Sequence, residues 1–378
     1  MRLRVCTFNI ENLFTRFDFS GFSDPRAARY LPPVVQFLGD YGDGDLSKFP
    51  EFKRLMQTAA VSQDDDHRQH TALAFAAADA DVYCLQEVDN LDALMRFFDA
   101  YVRKIGVDPY PNFFLQEGND PRGIDVAAVT RDIRPAYCRS HATLTWGDIK
   151  RSDRVAALIA EHPAAQKKVG DEGFTGRIFR RDCQELEVIV GKQRVSLFNC
   201  HFKSMGGRSR NKVGTRQLEA IAVREIISEK FADPAKALWA ICGDLNSYRG
   251  RLKVRADGEE DWQPDRSDRD SARDGDVSGL DPLLADGFGV NLVRDLPEAE
   301  RWTHYYASAK HKTQLDYIIA SPALAEMAKG PPKIIRSGVP FRVPNVAPER
   351  YPRIGWDRPK ASDHCPVVVE FDIPNPTS

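Results

Sequence analysis

Short apolar runs that stop abruptly at a polar side chain recur along the chain. Val82-Tyr83-Cys84-Leu85-Gln86-Glu87 stops at a carboxylate, Val195-Ser196-Leu197-Phe198-Asn199-Cys200-His201 at an imidazole, and Leu3-Arg4-Val5-Cys6-Thr7-Phe8-Asn9 at an amide. Ala240-Ile241-Cys242-Gly243-Asp244-Leu245-Asn246 ends in a carboxylate followed by an amide. Their length and apolar character predict buried strands that deliver their last side chains to a sheet edge. Gln314-Leu315-Asp316 and Ser362-Asp363-His364 have the opposite order, with the strand-like run following the polar residues. If the first group ends, and the second begins, at one rim of a layer whose strands run both ways, these groups converge. The product would be an oxygen-rich pocket with two histidines.

In extended chain, residues two apart point the same way, so Asp244 and Asn246 would project together. Asp and Asn also start turns frequently, and the pair admits that reading as well. Residues 64–80 read as a helix, with a carboxylate-rich start that suits the helix dipole and an Ala-rich body. Residues 91–102 are amphipathic, with Leu91, Leu94, Met95 and Phe98 on one face, and predict a helix covering a sheet. Strands are expected at 113–115 and 124–129, a hairpin turning at Gly191, and a helix over 217–229. Glu11-Asn12-Leu13-Phe14 is expected to turn away from the pocket. The final strand is reached through a Pro- and Arg-rich loop over 334–359.

Composition adds limits. The 378 residues allow one large domain or two ordinary ones. Because the polar strand ends run from Asn9 to His364, dividing the chain would divide the pocket, so one domain over 1–378 is expected. Residues 15–62 read as an insertion, either a lid or a packed decoration. Residues 251–279, dense in Asp, Arg, Glu and Gly, read as a mobile excursion that cannot bury a core. A net charge of -2 disfavours a protein that coats nucleic acid generically, so local charge must attract any anionic substrate. No apolar run is long enough to span a bilayer, and because the N-terminus enters a strand-like run at once, no signal peptide is expected. The seven cysteines match no zinc spacing. With four of them inside strand-like runs, reduced thiols in a cytoplasmic protein are expected.

Asn9, Glu87 and Asp363 offer hard oxygen donors without thiolate, which suits Mg2+ or Mn2+ better than zinc or copper. After His201, the stretch from Lys203 to Arg216 holds several cations and no carboxylate, with Gly206 and Gly207 within it. A basic, Gly-containing loop opening onto a helix can present cations and N–H groups to a phosphate. His304 and His311 have nothing beyond proximity in sequence to mark them.

Taken together, Asn9, Glu87, Asp244 with Asn246, Asp316 and Ser362-Asp363-His364 resemble, in order and local context, the endonuclease/exonuclease/phosphatase superfamily. The resemblance implies a deoxyribonuclease I-like α/β fold, a four-layer sandwich of two packed mixed β-sheets flanked by helices. It implies hydrolysis of a phosphate ester with Mg2+ or Mn2+ at Asn9, Glu87 and Asp363. Asp244 would activate the attacking water and Asn246 would hold that water or a phosphate oxygen. His364 and Asp316 would form an imidazole-carboxylate pair that stabilises transition-state charge. His201 would be a second phosphate contact or the proton donor to the leaving oxygen. Lys203, with Arg208 or Arg216, would steady phosphates, and the segment holding Arg122 would line the site. Asp125 is a candidate to orient His201 or else is satisfied by a turn amide. The motifs are closest to bacterial nuclease-like members, so a nucleic-acid substrate is expected. Two alternatives remain open: a phosphatase or phosphodiesterase acting on a small-molecule or lipid-headgroup phosphate, and a catalytically silent binding module.

Overall fold

The computed structural model describes residues 1–13, 65–205, 212–264, 278–347 and 349–375. The expected insertion at 15–62 lies outside them, as does Arg208.

Sixteen strands, numbered in chain order among the described residues, build three sheets. The first six-stranded sheet contains β1 (Arg2–Leu13), β2 (Val82–Val88), β3 (Asn112–Leu115), β4 (Asp125–Thr130), β15 (Lys333–Ile334) and β16 (Val367–Asp372), in the order β15-β16-β1-β2-β4-β3. The second contains β5 (Arg134–Ser140), β6 (Cys183–Val190), β7 (Gln193–His201), β8 (Trp239–Asp244), β11 (Val290–Asn291) and β14 (Asp316–Ala320), in the order β11-β14-β8-β7-β6-β5. Each is mixed in the same way: a parallel central pair, β1 with β2 and β7 with β8, is flanked by antiparallel neighbours. This repetition makes the two sheets similar in plan.

Alternation along the strands sorts side chains into layers. Leu3 and Val5 of β1, Val82 and Cys84 of β2, Val195 and Leu197 of β7, and Ala240 and Cys242 of β8 all join one apolar cluster between the sheets. The intervening Phe8, Ile10, Tyr83 and Leu85 face outward against helices α1 (Asp65–Ala78) and α2 (Leu91–Phe97). Phe75 of α1 holds that layer together, its ring centroid 4.6 Å from Tyr83, 5.0 Å from Phe98 and 5.7 Å from Phe8. On the opposite outer face, Phe198, Trp239, Ile241 and Ile319 pack on α3 (Asp153–Glu161), α4 (Pro163–Val169) and α5 (Lys212–Lys230). The order is therefore helices, sheet, sheet, helices, the four layers expected.

Two expectations change. Helix α5 begins at Lys212, five residues before the expected start, which places Arg216 inside a helix and not in a loop. The excursion after Arg251 is ordered in its described part: β9 (Gly250–Val254) and β10 (Glu260–Pro264) form a hairpin that joins β12 (His304–Tyr306) and β13 (His311–Thr313) in a four-stranded sheet. Pairing with β13 satisfies its backbone, and Leu252, packed with Trp302, Val339, Val343 and Cys365, supplies an apolar anchor that low average hydropathy concealed. All seven cysteines are free. Among the described residues no helix is long and apolar enough to cross a membrane.

Candidate active site

The strand pairing dictates where the polar ends meet. His201 is the register partner of Asp244 across the parallel β7–β8 pair, and Asp316 is its partner across the antiparallel β8–β14 pair. Three titratable side chains are thus fixed side by side by main-chain hydrogen bonds, at the rim where β7 and β8 end and β14 begins. All three are buried. Asn9 enters from the facing sheet, on the same side of β1 as Leu3 and Val5. Its Nδ2 donates to Asp244 Oδ2 at 3.2 Å.

His364 is placed by a short relay. The Ser362 hydroxyl donates to the Asn9 carbonyl at 2.7 Å and accepts the His364 amide at 3.0 Å. His364 Nδ1 lies 2.8 Å from Asp316 Oδ2, and its Nε2 is 3.9 Å from Asp244 Oδ2. His201 Nε2 approaches the same Asp244 oxygen at 3.5 Å. One carboxylate oxygen is therefore faced by an amide and two imidazoles.

The backbone is bent to produce this. Glu11, Asn12, Glu87 and Asn246 all have φ between 48° and 65°, a region that costs non-glycine residues on the order of 1–3 kcal/mol each. At Glu87 the β2–β4 register shifts, and the bulge re-aims the carboxylate from the strand face. Asn246 does not continue the strand as an extended residue. Its amide donates to Asp244 Oδ1 at 3.0 Å in a turn, and its side-chain Nδ2 donates to the Phe202 carbonyl at 3.3 Å. The turn reading of this pair describes its geometry, and the two side chains do not project together from an extended strand.

Burial and neighbouring charge drive the protonation states apart. Burial disfavours a charged His364, yet Asp316 and Asp244 outweigh it and hold the imidazolium well above the ordinary range. His201 goes the other way: burial, then the Arg181 and Arg122 guanidinium groups, keep it neutral. Asp244 is pushed up to about 7 by burial, with His364 opposing and Asp316 adding to the rise.

A second set of carboxylates gathers beside these. Glu87 is raised by burial and by Asp363. Glu11 is pushed to about 7 by burial and Asp363, although Lys360 Nζ lies 2.9 Å from its Oε1. For Asp363 burial is outweighed by Lys360, His364 and His304, which hold it well below the carboxylate range. Glu11 was expected to turn away. Instead β1 continues to Leu13, and Glu11 Oε2 accepts the Asp363 amide at 2.8 Å. The Asn9-Ile10-Glu11 alternation was the available signal. His304 was also missed: it bridges to His364 through the backbone, with ring centroids 4.9 Å apart, and its Nε2 is 3.9 Å from Asp363 Oδ2. His304, Asp363 and His364 offer donor atoms within 4.8 Å of one another, as do Asp244, Asp316 and His364, and such groups fit a divalent cation, which would offset the repulsion between carboxylates; Glu87 belongs to neither group.

The outlying expectations fare differently. Asp125 Oδ1 accepts the Gly118 amide at 2.7 Å while His201 Nδ1 has no hydrogen-bond partner, so Asp125 does not orient that ring. Arg216 is fully buried in α5 and donates to the Lys203 carbonyl at 3.0 Å, which ties the helix to the turn after β7. Arg122 makes a two-pronged pair with Asp120, at 3.0 and 2.9 Å. Lys203 is lowered to about 8 by burial and by Arg181. Both line a cleft of about 820 Å³ together with Arg177, Arg180, Arg181 and Phe174.

The sequence matches the endonuclease/exonuclease/phosphatase family over residues 6–364. The chain belongs to that family. Members of the endonuclease/exonuclease/phosphatase family are phosphoesterase hydrolases that generally use divalent metals. No curated protein sequence matches the chain. Solved structures with the same fold include a family protein from Bacteroides thetaiotaomicron, 14% identical with a TM-score of 0.51, covering 99% of this chain and 96% of its own. The human Nocturnin catalytic domain with bound sulfate is 12% identical with a TM-score of 0.50, covering 98% and 94%. A Beutenbergia cavernae family protein is 15% identical with a TM-score of 0.50, covering 98% of this chain and 71% of its own.

Proposed function

We propose that the chain hydrolyses phosphodiester bonds in nucleic acid, as a divalent-metal-dependent nuclease. The observation that carries the hydrolytic reading is the Asp244 carboxylate, raised to about 7 and faced by the imidazolium of the His364–Asp316 pair. A base of that strength accepts a proton from water near neutral pH. The water oxygen attacks phosphorus, its proton passes to Asp244, and the bond from phosphorus to the leaving oxygen breaks. His364, charged and fixed by Asp316, stabilises negative charge on the phosphoryl oxygens. Asn246 bends the chain so that Asp244 is held at the rim. His201 is neutral, which suits a phosphate contact better than donation of a proton to the leaving oxygen.

Asn9, Glu87 and Asp363 would hold Mg2+ or Mn2+, with Glu11 beside them. Bound there, the ion supplies charge neutralisation at the phosphoryl group and the departing oxygen. The nucleic-acid assignment draws on the cleft holding Arg122, Arg177, Arg180, Arg181 and Lys203, of which Arg181, Arg122 and Lys203 are close enough to help depress His201. A small phosphate ester is the second reading, because Asp120 pairs with both Arg122 and Arg181 and reduces the charge available to a polyanion.

Incubation with plasmid, single-stranded DNA and RNA plus Mg2+ or Mn2+ tests this. Cleavage that Asp244→Ala or His364→Ala abolishes is expected. Phosphate release from small esters, with all three polymers left intact, would replace the first reading with the second.

A further inference from the structure

The donor set at Asp363 is not purely oxygen. His304 Nε2 stands 3.9 Å from Asp363 Oδ2, beyond hydrogen-bond range. Two ligand bonds of about 2.1 Å, meeting at angles between about 90° and 180°, separate their donor atoms by about 3.0 to 4.2 Å. One cation can therefore touch both atoms with no large movement of either. The two residues reach this position by separate routes. His304 opens β12 and is tied to His364 by the isolated backbone bridge, while the Asp363 amide is held by Glu11. His304, Asp363 and His364 each present a donor atom within 4.8 Å of the others. Of the two rings, His364 is already committed, with Nδ1 on Asp316 and Nε2 toward Asp244. His304 has no comparable carboxylate on its far side among the described ion pairs.

We infer that His304 supplies a nitrogen ligand to the divalent cation held at Asp363, so that this site selects first-row transition ions over Mg2+. The inference rests on the metal-site reading above and goes beyond it in naming the ligand and the selectivity. Mg2+ keeps to oxygen donors and water, whereas imidazole strengthens binding along the series from Mn2+ toward Zn2+. A nitrogen in the donor set therefore raises affinity for one class of ion and adds nothing for the other.

Titration calorimetry with Mg2+, Mn2+ and Zn2+, together with electron spin echo spectroscopy of bound Mn2+, tests this on the full chain. Wild-type protein is expected to bind Mn2+ at least about tenfold more tightly than Mg2+, with nitrogen modulation of the Mn2+ signal. His304→Phe keeps a ring against His364 and is expected to lose that modulation. Its Mn2+ and Zn2+ affinity should fall by about tenfold or more, at least the loss that changing a group behind a metal ligand produces, while Mg2+ affinity stays within about twofold. Mn2+ bound by wild type without nitrogen modulation would overturn the inference and leave the metal site standing. Modulation that persists in His304→Phe would assign the nitrogen to His364, with the same result. Failure of wild type to bind any of the three ions would overturn both. If His304→Phe fails to fold, the wild-type spectrum still decides.

Discussion

Two buried carboxylates on the same sheet, Glu185 on β6 and Asp244 at the end of β8, are both disfavoured as anions by burial and end in opposite states. Burial raises both. Around Glu185 the side chains of Lys230 at 2.8 Å, Arg139 at 2.7 Å, His141 at 2.9 Å and the Tyr137 hydroxyl converge, and together they hold it far below the carboxylate range. Lys230 also pairs with Glu187, so the cluster seals the contact between α5 and the edge of the second sheet. Asp244 has one imidazolium against it and two further carboxylates, Asp316 and Glu87, pushing the same way as burial. Compensated charge is architecture. Charge left under-compensated at a sheet rim is held ready for a proton or a cation, and that is where chemistry is expected.

The comparison can be broken in four places. The largest effect is expected at Asp244. Asp244→Ala should lower kcat/KM for phosphoester hydrolysis by about a thousandfold or more, as removal of a positioned base does, without loss of folded protein by circular dichroism. A mere structural role would unfold the chain instead.

Next comes Glu185→Ala, which removes the carboxylate shared by Arg139, His141 and Lys230 and leaves Lys230 with Glu187 alone. Removing one partner of a buried charge cluster costs about 3–5 kcal/mol, to be read from the denaturant midpoint, with activity per folded molecule retained. Equal losses of activity and stability would erase the division between the two clusters.

A divalent cation should act on one cluster only. Mn2+ at about a hundred times its dissociation constant should stabilise the chain by about 2.7 kcal/mol, and Asp363→Asn should remove most of that gain while Glu185→Gln leaves it. EDTA should abolish hydrolysis.

The smallest effect is in pH dependence. In metal-free protein Asp244 and Glu11 are both raised to about 7, so the stability they contribute is full below the ordinary carboxylate range and is lost as pH rises through about 7. Glu185 has the opposite sign, its contribution present above the ordinary range and lost as pH falls through its depressed value. Asp244→Asn should therefore raise Tm in EDTA at pH 8 by roughly 2–4 °C and flatten the slope between pH 4 and 7. In hydrolysis a bound divalent cation favours the Asp244 carboxylate, so the acid limb should lie below the metal-free value of about 7, read from kcat/KM against pH.

Much of this was readable from the chain because strand alternation is a strict rule. Once Leu3 and Val5 face inward, Asn9 must as well, and the same counting carries Cys242 to Asp244 and Leu197 to His201. What failed was whatever departed from regular strand or depended on a distant partner. Asn246 and Glu87 adopt positive φ, which a period-two pattern does not foresee. Arg216 looked like a loop cation because helix α5 carries a basic first turn, and Asp125 looked available because its partner amide at Gly118 belongs to another segment. The hairpin after Arg251 was obscured by its charged composition, since its order comes from pairing with β13.

By itself, then, the chain's pattern of apolar runs and polar stops determined the buried strands and most of the side chains at their rim, because burial of alternating positions leaves little choice, while the layers followed from the family resemblance those residues carry. Only tertiary structure decided which carboxylates would be neutralised and which left crowded, and it brought Glu11 and His304 beside Asp363. Those outcomes turn on separations of a few ångströms between segments hundreds of residues apart, where Coulomb energy varies steeply and local sequence carries no record of the neighbour.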